Sequence, residues 1–282
     1  MAPPAHLAKR LAHIAACHSA SLPGRRLKLW AGDEHIGYVL PELAGQLAAL
    51  SRGVTLAQGH ARMAPELLPE LNALAGAAGM TPRGEDFDVR ATVDGPVLGV
   101  LDRGALPSFG VIGVGVHLNG LVRRAGWHVW VAKRAANKKL DPGRLDNLVA
   151  GGVSAGFTPL ATLLKEAQEE ASLPASLASQ ARLVARFCYA MERPEGLRRD
   201  VVFAYDLELP ESFIPTPADD EVECFTLMRL AEVLERLSSG DDFKFNVNLV
   251  LIDLCIRFGL LTGAHAAELR AALAKGWSET GA

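Results

Sequence analysis

Residues 151–173 constrain this chain more than any other stretch. They open with Gly151-Gly152-Val153-Ser154-Ala155-Gly156, and Pro159 follows where a helix can begin, since a first turn does not need the missing N–H. The helix then reads Lys165-Glu166-Ala167-Gln168-Glu169-Glu170. At i+3 and i+4 spacing, Glu166, Glu169 and Glu170 crowd one side. Leu160, Leu163, Leu164, Ala167 and Ala171 fill the other and are expected to pack on a sheet. Crowded carboxylates repel. A solvated acidic helix face shows the same cluster. The other reading is a divalent cation: hard oxygen donors on a rigid helix suit Mg²⁺ or Mn²⁺, which keep waters and accept phosphate oxygens. The glycine-rich loop just ahead favours the cation.

The chain around this segment has 282 residues, 49% of them hydrophobic and 22% charged. That is a globular composition, large enough for one big domain or two ordinary ones, and it excludes disordered and fibrous classes. Lysines and arginines number 29 against 32 acids, a net charge of −3. No nucleic-acid polymer is expected as a partner, although a local basic pocket remains open. Cys17, Cys188, Cys224 and Cys255 lie far apart, as in a reducing compartment. No apolar run reaches the roughly 18–20 residues that span a bilayer, and residues 249–261 are broken by Asp253 and Arg257, so no membrane partner is expected. The first acid is Asp33, and a basic start of this kind resembles an organellar leader. Leu7, Leu11 and Ile14 at helical spacing favour a helix packed on a domain, and a cytoplasmic location is the expectation.

Two domains are expected, over residues 1–105 and 106–282. The first reads as a small α/β unit: a helix at 7–19, strands at 27–30 and 36–40, helices at 41–51 and 64–78, and a closing strand at 97–101. The second has strands at 111–121, 127–132, 145–150, 183–189, 201–207 and 222–227, a helix at 159–172, and late helices at 230–238, 246–258 and 265–275. Strands, an inserted helix, more strands and then helices predict a mixed sheet with helices on its faces.

The segment 151–173 resembles the Nudix box. Gly151 matches its opening glycine, Glu166, Glu169 and Glu170 match its metal-binding carboxylates, and Leu173 matches its last aliphatic position. Phe157 stands where the box has a loop Glu, Lys165 where it has Arg, and Ser172 where it has Gly. In the family that Arg helps pin loop and helix together by ionic contacts. The flanks Gly115-Val116-His117-Leu118-Asn119-Gly120, Trp130-Val131-Ala132-Lys133-Arg134, Leu145-Asp146-Asn147-Leu148, Asp220-Glu221-Val222-Glu223 and Phe243-Lys244-Phe245-Asn246 are similar to one subfamily with an extra N-terminal domain. That subfamily includes the Nudix portion of fungal thiamin pyrophosphokinase fusions. The resemblance implies an α/β/α sandwich around a mixed sheet, preceded by a smaller α/β domain. It also implies Mg²⁺- or Mn²⁺-dependent water attack on an organic diphosphate, with Glu166, Glu169 and Glu170 on metal. Thiamin diphosphate or its oxidised analogues are the leading substrates by that similarity. Nucleoside diphosphate sugars or dinucleotides are the alternative, and a Nudix-fold protein that binds without hydrolysing is a further one. Nudix proteins are often homodimers.

Other residues are candidates around that site. One of Glu169, Glu170 or Glu221 is expected to orient or deprotonate the attacking water. Glu223 shares a strand face with Glu221 by period two, so the sequence does not separate them. Gly151 and Gly152 are expected to shape the phosphate site, and Arg134 to pair with a phosphate. His117 and Asn246 are substrate-contact candidates, against a packed histidine and a helix N-cap.

Overall fold

The computed structural model describes residues 4–218 and 220–277. The chain runs through α1 (Ala5–Cys17), β1 (Leu27–Ala31), β2 (Glu34–Val39), α2 (Pro41–Leu50), β3 (Val54–Ala57) and β4 (His60–Met63). A short 3₁₀ helix (Pro65–Glu70) leads to α3 (Leu71–Ala77), β5 (Asp86–Val89), β6 (Gly99–Asp102) and α4 (Leu106–Phe109). Then come β7 (Ile112–Arg124), β8 (Gly126–Arg134), β9 (Leu145–Asp146), β10 (Val149–Gly152), α5 (Pro159–Ala171) and α6 (Ala175–Ala178). The chain continues with β11 (Arg182–Arg193), β12 (Gly196–Glu208), β13 (Val222–Arg229), α7 (Leu230–Ser239), α8 (Val247–Arg257) and α9 (Gly263–Leu273).

The N-terminal unit holds a sheet of order β2-β1-β4-β3, with β1 and β4 parallel, and a separate β5–β6 ladder. The larger sheet has the order β11-β12-β7-β8-β13, with β10 on β7 and β9 on β8. Its β12–β7 pair is parallel and its other pairs are antiparallel, so the sheet is mixed. Period-two alternation makes the layers. Val116, Leu118, Val122 and Trp130 point to one face and meet Leu163, Ala167 and Ala171 of α5. Leu121, Val129 and Val131 point to the other, where α7, α8 and α9 pack through Val233, Leu251 and Leu269. The result is an α/β/α sandwich preceded by a smaller α/β unit. Among the described residues, no helix is long and apolar enough to cross a membrane.

Three sequence expectations need correction. The first helix, expected within the N-terminal domain, belongs to the sandwich: Leu7, Ile14 and Cys17 of α1 join the core formed by α7, α8 and α9. The helix expected at 64–78 is two pieces, a 3₁₀ helix containing Pro69 and then α3, because proline interrupts an α-helical ladder. The strand expected at 145–150 is also two pieces on different partners. β7 and β8 pair only from Gly120↔Trp130 to the turn, and then splay. β9 takes the β8 side of the fork and β10 the β7 side. Leu148 plugs the fork over Gly120, where a Cβ would lie 2.3 Å from its Cδ2.

α5 starts on an N-cap, Thr158 Oγ1 accepting from Ala161 N at 3.1 Å, and ends at Ser172 in the left-handed region with φ 50°. The Nudix box places glycine at this position, and the backbone shows why. Left-handed geometry costs a non-glycine residue roughly 1–2 kcal/mol. Ser172→Gly should therefore raise stability by about 0.5–1 kcal/mol once glycine's own flexibility is offset, read as a higher urea midpoint at unchanged slope. Ser172→Ala keeps the strain and loses the hydroxyl's bond to Thr216 O (3.0 Å), so it should show no gain. A Ser172→Gly midpoint at or below the parent's would mean that this bond outweighs the strain.

Candidate active site

The apolar face of α5 fixes which carboxylates turn inward. With Leu163, Ala167 and Ala171 on the sheet, Glu166 and Glu170 lie over β10, and Glu169 projects to solvent. Glu170 is 6% exposed, and its Oε2 accepts from Ala150 N at 2.9 Å. Glu166 rests on Gly151, where a Cβ would lie 2.5 Å from its Cγ and 2.6 Å from its Cδ. Lys165 Nζ lies 2.7 Å from Glu169 Oε2 and 3.5 Å from Glu166 Oε1. The structure thus divides the three carboxylates that the sequence expects on one side: two face the strand and one is paired at the surface.

Glu221 reaches the same place from the loop before β13. It lines a small cavity with Arg134, Asp146, Asn147, Ala150 and Glu170, and it pairs with Lys138. The register slips between Val222 and Cys224, so period two fails there. Glu223 is left paired to Lys133 at 2.8 Å on the surface. The bulge therefore separates two residues that the sequence does not.

These carboxylates titrate as a crowded group. Burial raises Glu170 well above the ordinary carboxylate range, and the charges of Asp146, Glu166 and Glu221 add to it. Burial also raises Glu166, with Glu169 and Glu221 reinforcing and Lys165 opposing. For Glu221 burial pushes upward too, but Lys138, Arg103 and Arg134 outweigh it and hold the group below its usual range. Among the described residues, no three histidine, cysteine, aspartate or glutamate side chains close on one point as a finished metal cage. The donor set still fits a hard divalent cation: it is all oxygen, Glu166 and Glu170 meet the backbone of one strand, and their mutual repulsion calls for positive charge between them.

Arg134 does a different job from the expected phosphate contact. Its Nη1 donates to Asp146 Oδ2 at 2.8 Å, Nη2 to Leu140 O at 2.8 Å and Nε to Asp141 O at 3.1 Å, all in a buried setting. Asp146 also takes Lys244 Nζ at 3.3 Å and lies 3.8 Å from His117 Nδ1. Burial works to raise Asp146, but Lys244, His117 and Arg134 hold it below its usual range. His117 is buried behind the fork, its Nδ1 2.8 Å from Asn147 Oδ1. Asn246 stands at the start of α8, yet its side chain makes no capping bond; Nδ2 goes to Tyr189 Oη at 3.2 Å.

Above Gly151 and Gly152 lies a cleft whose walls come from both units. Phe87 and Arg103 of the N-terminal unit face Gly152, His117, Lys244 and Asn246 of the sandwich. Sequence reasoning missed Arg103 and Phe87, because no spacing links them to the box. Asp146 and Lys244 sit in segments similar to the subfamily's, but nothing in their spacing marks a role for them.

Burial, and after it the charge of Lys244, pulls His117 from 6.5 down to about 4. The folded chain therefore binds fewer protons than the unfolded one between those values. The stabilisation by neutral His117 is complete above about pH 6.5 and is lost as pH falls toward 4. Between pH 7.5 and 4.5 the parent should lose about 2 kcal/mol more unfolding free energy than His117→Gln. Urea titrations of both proteins at the two pH values read the difference. Parallel losses would place His117's proton affinity near that of a free imidazole.

A family model described as NUDIX domain matches residues 114–247. Nudix hydrolase 20, chloroplastic, from Arabidopsis thaliana is 40% identical over 191 residues, covering 67% of this chain and 51% of that protein. Nudix hydrolase 24, chloroplastic, from the same organism is 38% identical over 191 residues, covering 67% and 52%. The chain thus spans about half the length of these relatives. Among solved structures, DR0079 from Deinococcus radiodurans aligns with a TM-score of 0.47 at 21% identity, covering 62% of this chain and 99% of that one. Residues 114–247, which carry the fork, α5 and its carboxylates, form a Nudix domain.

Proposed function

We propose that the protein is a Nudix pyrophosphohydrolase that cleaves a small organic diphosphate with Mg²⁺ or Mn²⁺. The observation that carries this is the placing of Glu166 and Glu170 against Gly151 and Ala150, directly beside a cleft that Arg103 helps to line. Glu166, Glu169 and Glu170 would hold the cation, with Glu169 released from Lys165. A bound divalent ion neutralises the carboxylates and polarises a phosphoryl oxygen. Water adds to phosphorus, the bond to the departing phosphate oxygen breaks, and one proton must be taken up. Glu221 is the assigned acceptor: it shares the small cavity with Glu170, and Lys138, Arg103 and Arg134 keep it ionised. The sequence resemblance supports thiamin diphosphate or its oxidised analogues as first substrates to test, cut to the monophosphate. Nucleoside diphosphate sugars and dinucleotides follow.

A second reading, binding without hydrolysis, is favoured by one contact, Lys165 spanning Glu166 and Glu169. Product masses from a diphosphate panel, with and without Mg²⁺ or Mn²⁺, separate the two. Metal-dependent release of monophosphate is expected. Glu166→Gln and Glu170→Gln should each lower kcat by about a hundredfold or more, and Glu221→Gln by about tenfold or more. Full activity in Glu170→Gln would remove the metal assignment, and no cleavage of any compound would favour the binding protein.

A further inference from the structure

The glycine-rich loop between β10 and α5 is fastened by the N-terminal unit. Ala155 N donates to Asp86 O at 2.7 Å, Gly156 N to Asp88 Oδ1 at 3.2 Å, and Ser154 Oγ to Glu85 Oε1 at 2.9 Å. The acceptors belong to β5 and to the residue just before it. The other oxygen of Glu85 is also taken: Oε2 accepts from Arg103 Nη1 at 2.7 Å. Arg103 helps to line the cleft with Gly151 and Gly152, and its guanidinium lies 5.8 Å from the centre of the Phe87 ring. One carboxylate therefore holds a loop hydroxyl on one oxygen and a cleft arginine on the other. The box positions do other things: Phe157 is exposed, and Lys165 is paired with Glu169.

The backbone that carries Glu85 is itself fixed. Buried Asp102 accepts four backbone N–H groups: Arg83 and Gly104 on Oδ1 at 2.8 and 2.7 Å, Gly84 and Glu85 on Oδ2 at 2.8 and 3.3 Å. Hydrogen bonds to an ionised acceptor are the strong ones, so this carboxylate folds residues 83–85 around itself. Arg103 N donates to Glu85 O at 2.8 Å, next to the Asp86↔Asp102 pair of the β5–β6 ladder. Asn72 of α3 ties the same two strands, Oδ1 accepting from Asp102 N at 2.6 Å and Nδ2 donating to Asp86 Oδ1 at 2.9 Å. The Glu85 side chain thus leaves a backbone with little freedom, which is what a group needs in order to place others. Its ion pair with Arg103 is partly exposed, and such pairs add little to stability. Its value is geometric.

We infer that Glu85 is a positioning residue: it sets the glycine-rich loop and Arg103 as one unit at the cleft, in place of the ionic pin that the Nudix box implies. It acts through Ser154 and Arg103. Its effect on turnover rests on the hydrolase reading; its hold on the loop does not, and hydrogen–deuterium exchange of the full chain reads that hold apart from turnover. The reporters are the amides of Ala155 and Gly156, whose bonds go to Asp86 and Asp88. Glu85→Ala should speed their exchange about tenfold while the melting temperature stays within about 3 °C of the parent's. Arg103→Gln should speed it about fivefold in the parent and less than about twofold in the Glu85→Ala background, because Glu85 passes the change on. On a diphosphate that the panel shows to be cut, Glu85→Ala should lower kcat about tenfold and Ser154→Ala about fivefold, and Ser154→Thr, which keeps the hydroxyl, should stay within about twofold of the parent. Should Glu85→Ala not fold, Ser154→Ala and Arg103→Gln carry the test: their joint effect on exchange should fall about threefold short of the product of the single effects, since both break one link. Exchange that ignores Glu85→Ala, an Arg103→Gln effect equally large without Glu85, a full product in the double variant, or an unchanged kcat in Glu85→Ala would overturn the inference. A parent that cuts nothing in the panel, with the exchange results as expected, would overturn the hydrolase reading alone.

Discussion

Two missing side chains set the layout of this molecule. At Gly151 the carboxylate arm of Glu166 occupies the space a Cβ would take, and at Gly152 the ring of Phe87 does the same. β10 is therefore squeezed between α5 and the N-terminal unit, with room for backbone only. The loop after it is clamped from the same side. Ala155 N donates to Asp86 O at 2.7 Å, Ser154 Oγ to Glu85 Oε1 at 2.9 Å, and Gly156 N to Asp88 Oδ1 at 3.2 Å. These contacts answer the two departures in the loop and helix. Phe157 is exposed, and Lys165 is paired with Glu169, so the ionic pin that the Nudix box implies is not made by those positions. β5 holds the loop from outside instead.

The buried charges fall into two groups with opposite logic. Around Asp146, three cationic or protonatable groups meet one carboxylate, and they tie together β8, β9 and the approach to α8. Removing one partner from such a buried set leaves a charge unpaired, at about 3–5 kcal/mol, so the set locks the fork whatever its net worth. Around Glu170 the balance is reversed: acids crowd there, and the inward-facing ones are satisfied by one backbone N–H and by lysines reaching in from the surface. Surface lysine pairs contribute about 0–1 kcal/mol and are easily exchanged. The first group is paired on several sides by buried partners, and the second is held by contacts that exchange easily.

Much of this was legible in the sequence because it rests on periodicity. The alternation in β7 and β8 gave the two faces of the sheet, and the spacing in α5 gave the packing stripe. What escaped reading depends on long-range packing or on a local slip. α1 shows helical spacing, but spacing does not name a partner, and its partner lies in the C-terminal helices. The splay of β7 from β8 turned one expected strand into two. The bulge at Val222–Cys224 separated Glu221 from Glu223. Arg134 in a basic run looked like a free fork, and only the fold brings Asp146 and the carbonyls of Leu140 and Asp141 to its three donor positions.

The N-terminal unit is thus more than an appendage to the sandwich. It supplies Phe87 to one side of β10, the clamp on the glycine-rich loop, and the arginine whose charge reaches Glu221. Arg103 is itself anchored within that unit, Nη1 donating to Glu85 Oε2 at 2.7 Å, and Glu85 in turn accepts from Ser154 of the loop. One carboxylate therefore couples the arginine's position to the loop's position. A shift of β5 against β10 would move the loop, the apolar wall and the cation together. Neither unit contains the cleft alone: the sandwich brings Gly151, Gly152 and Lys244, and the N-terminal unit brings Phe87 and Arg103.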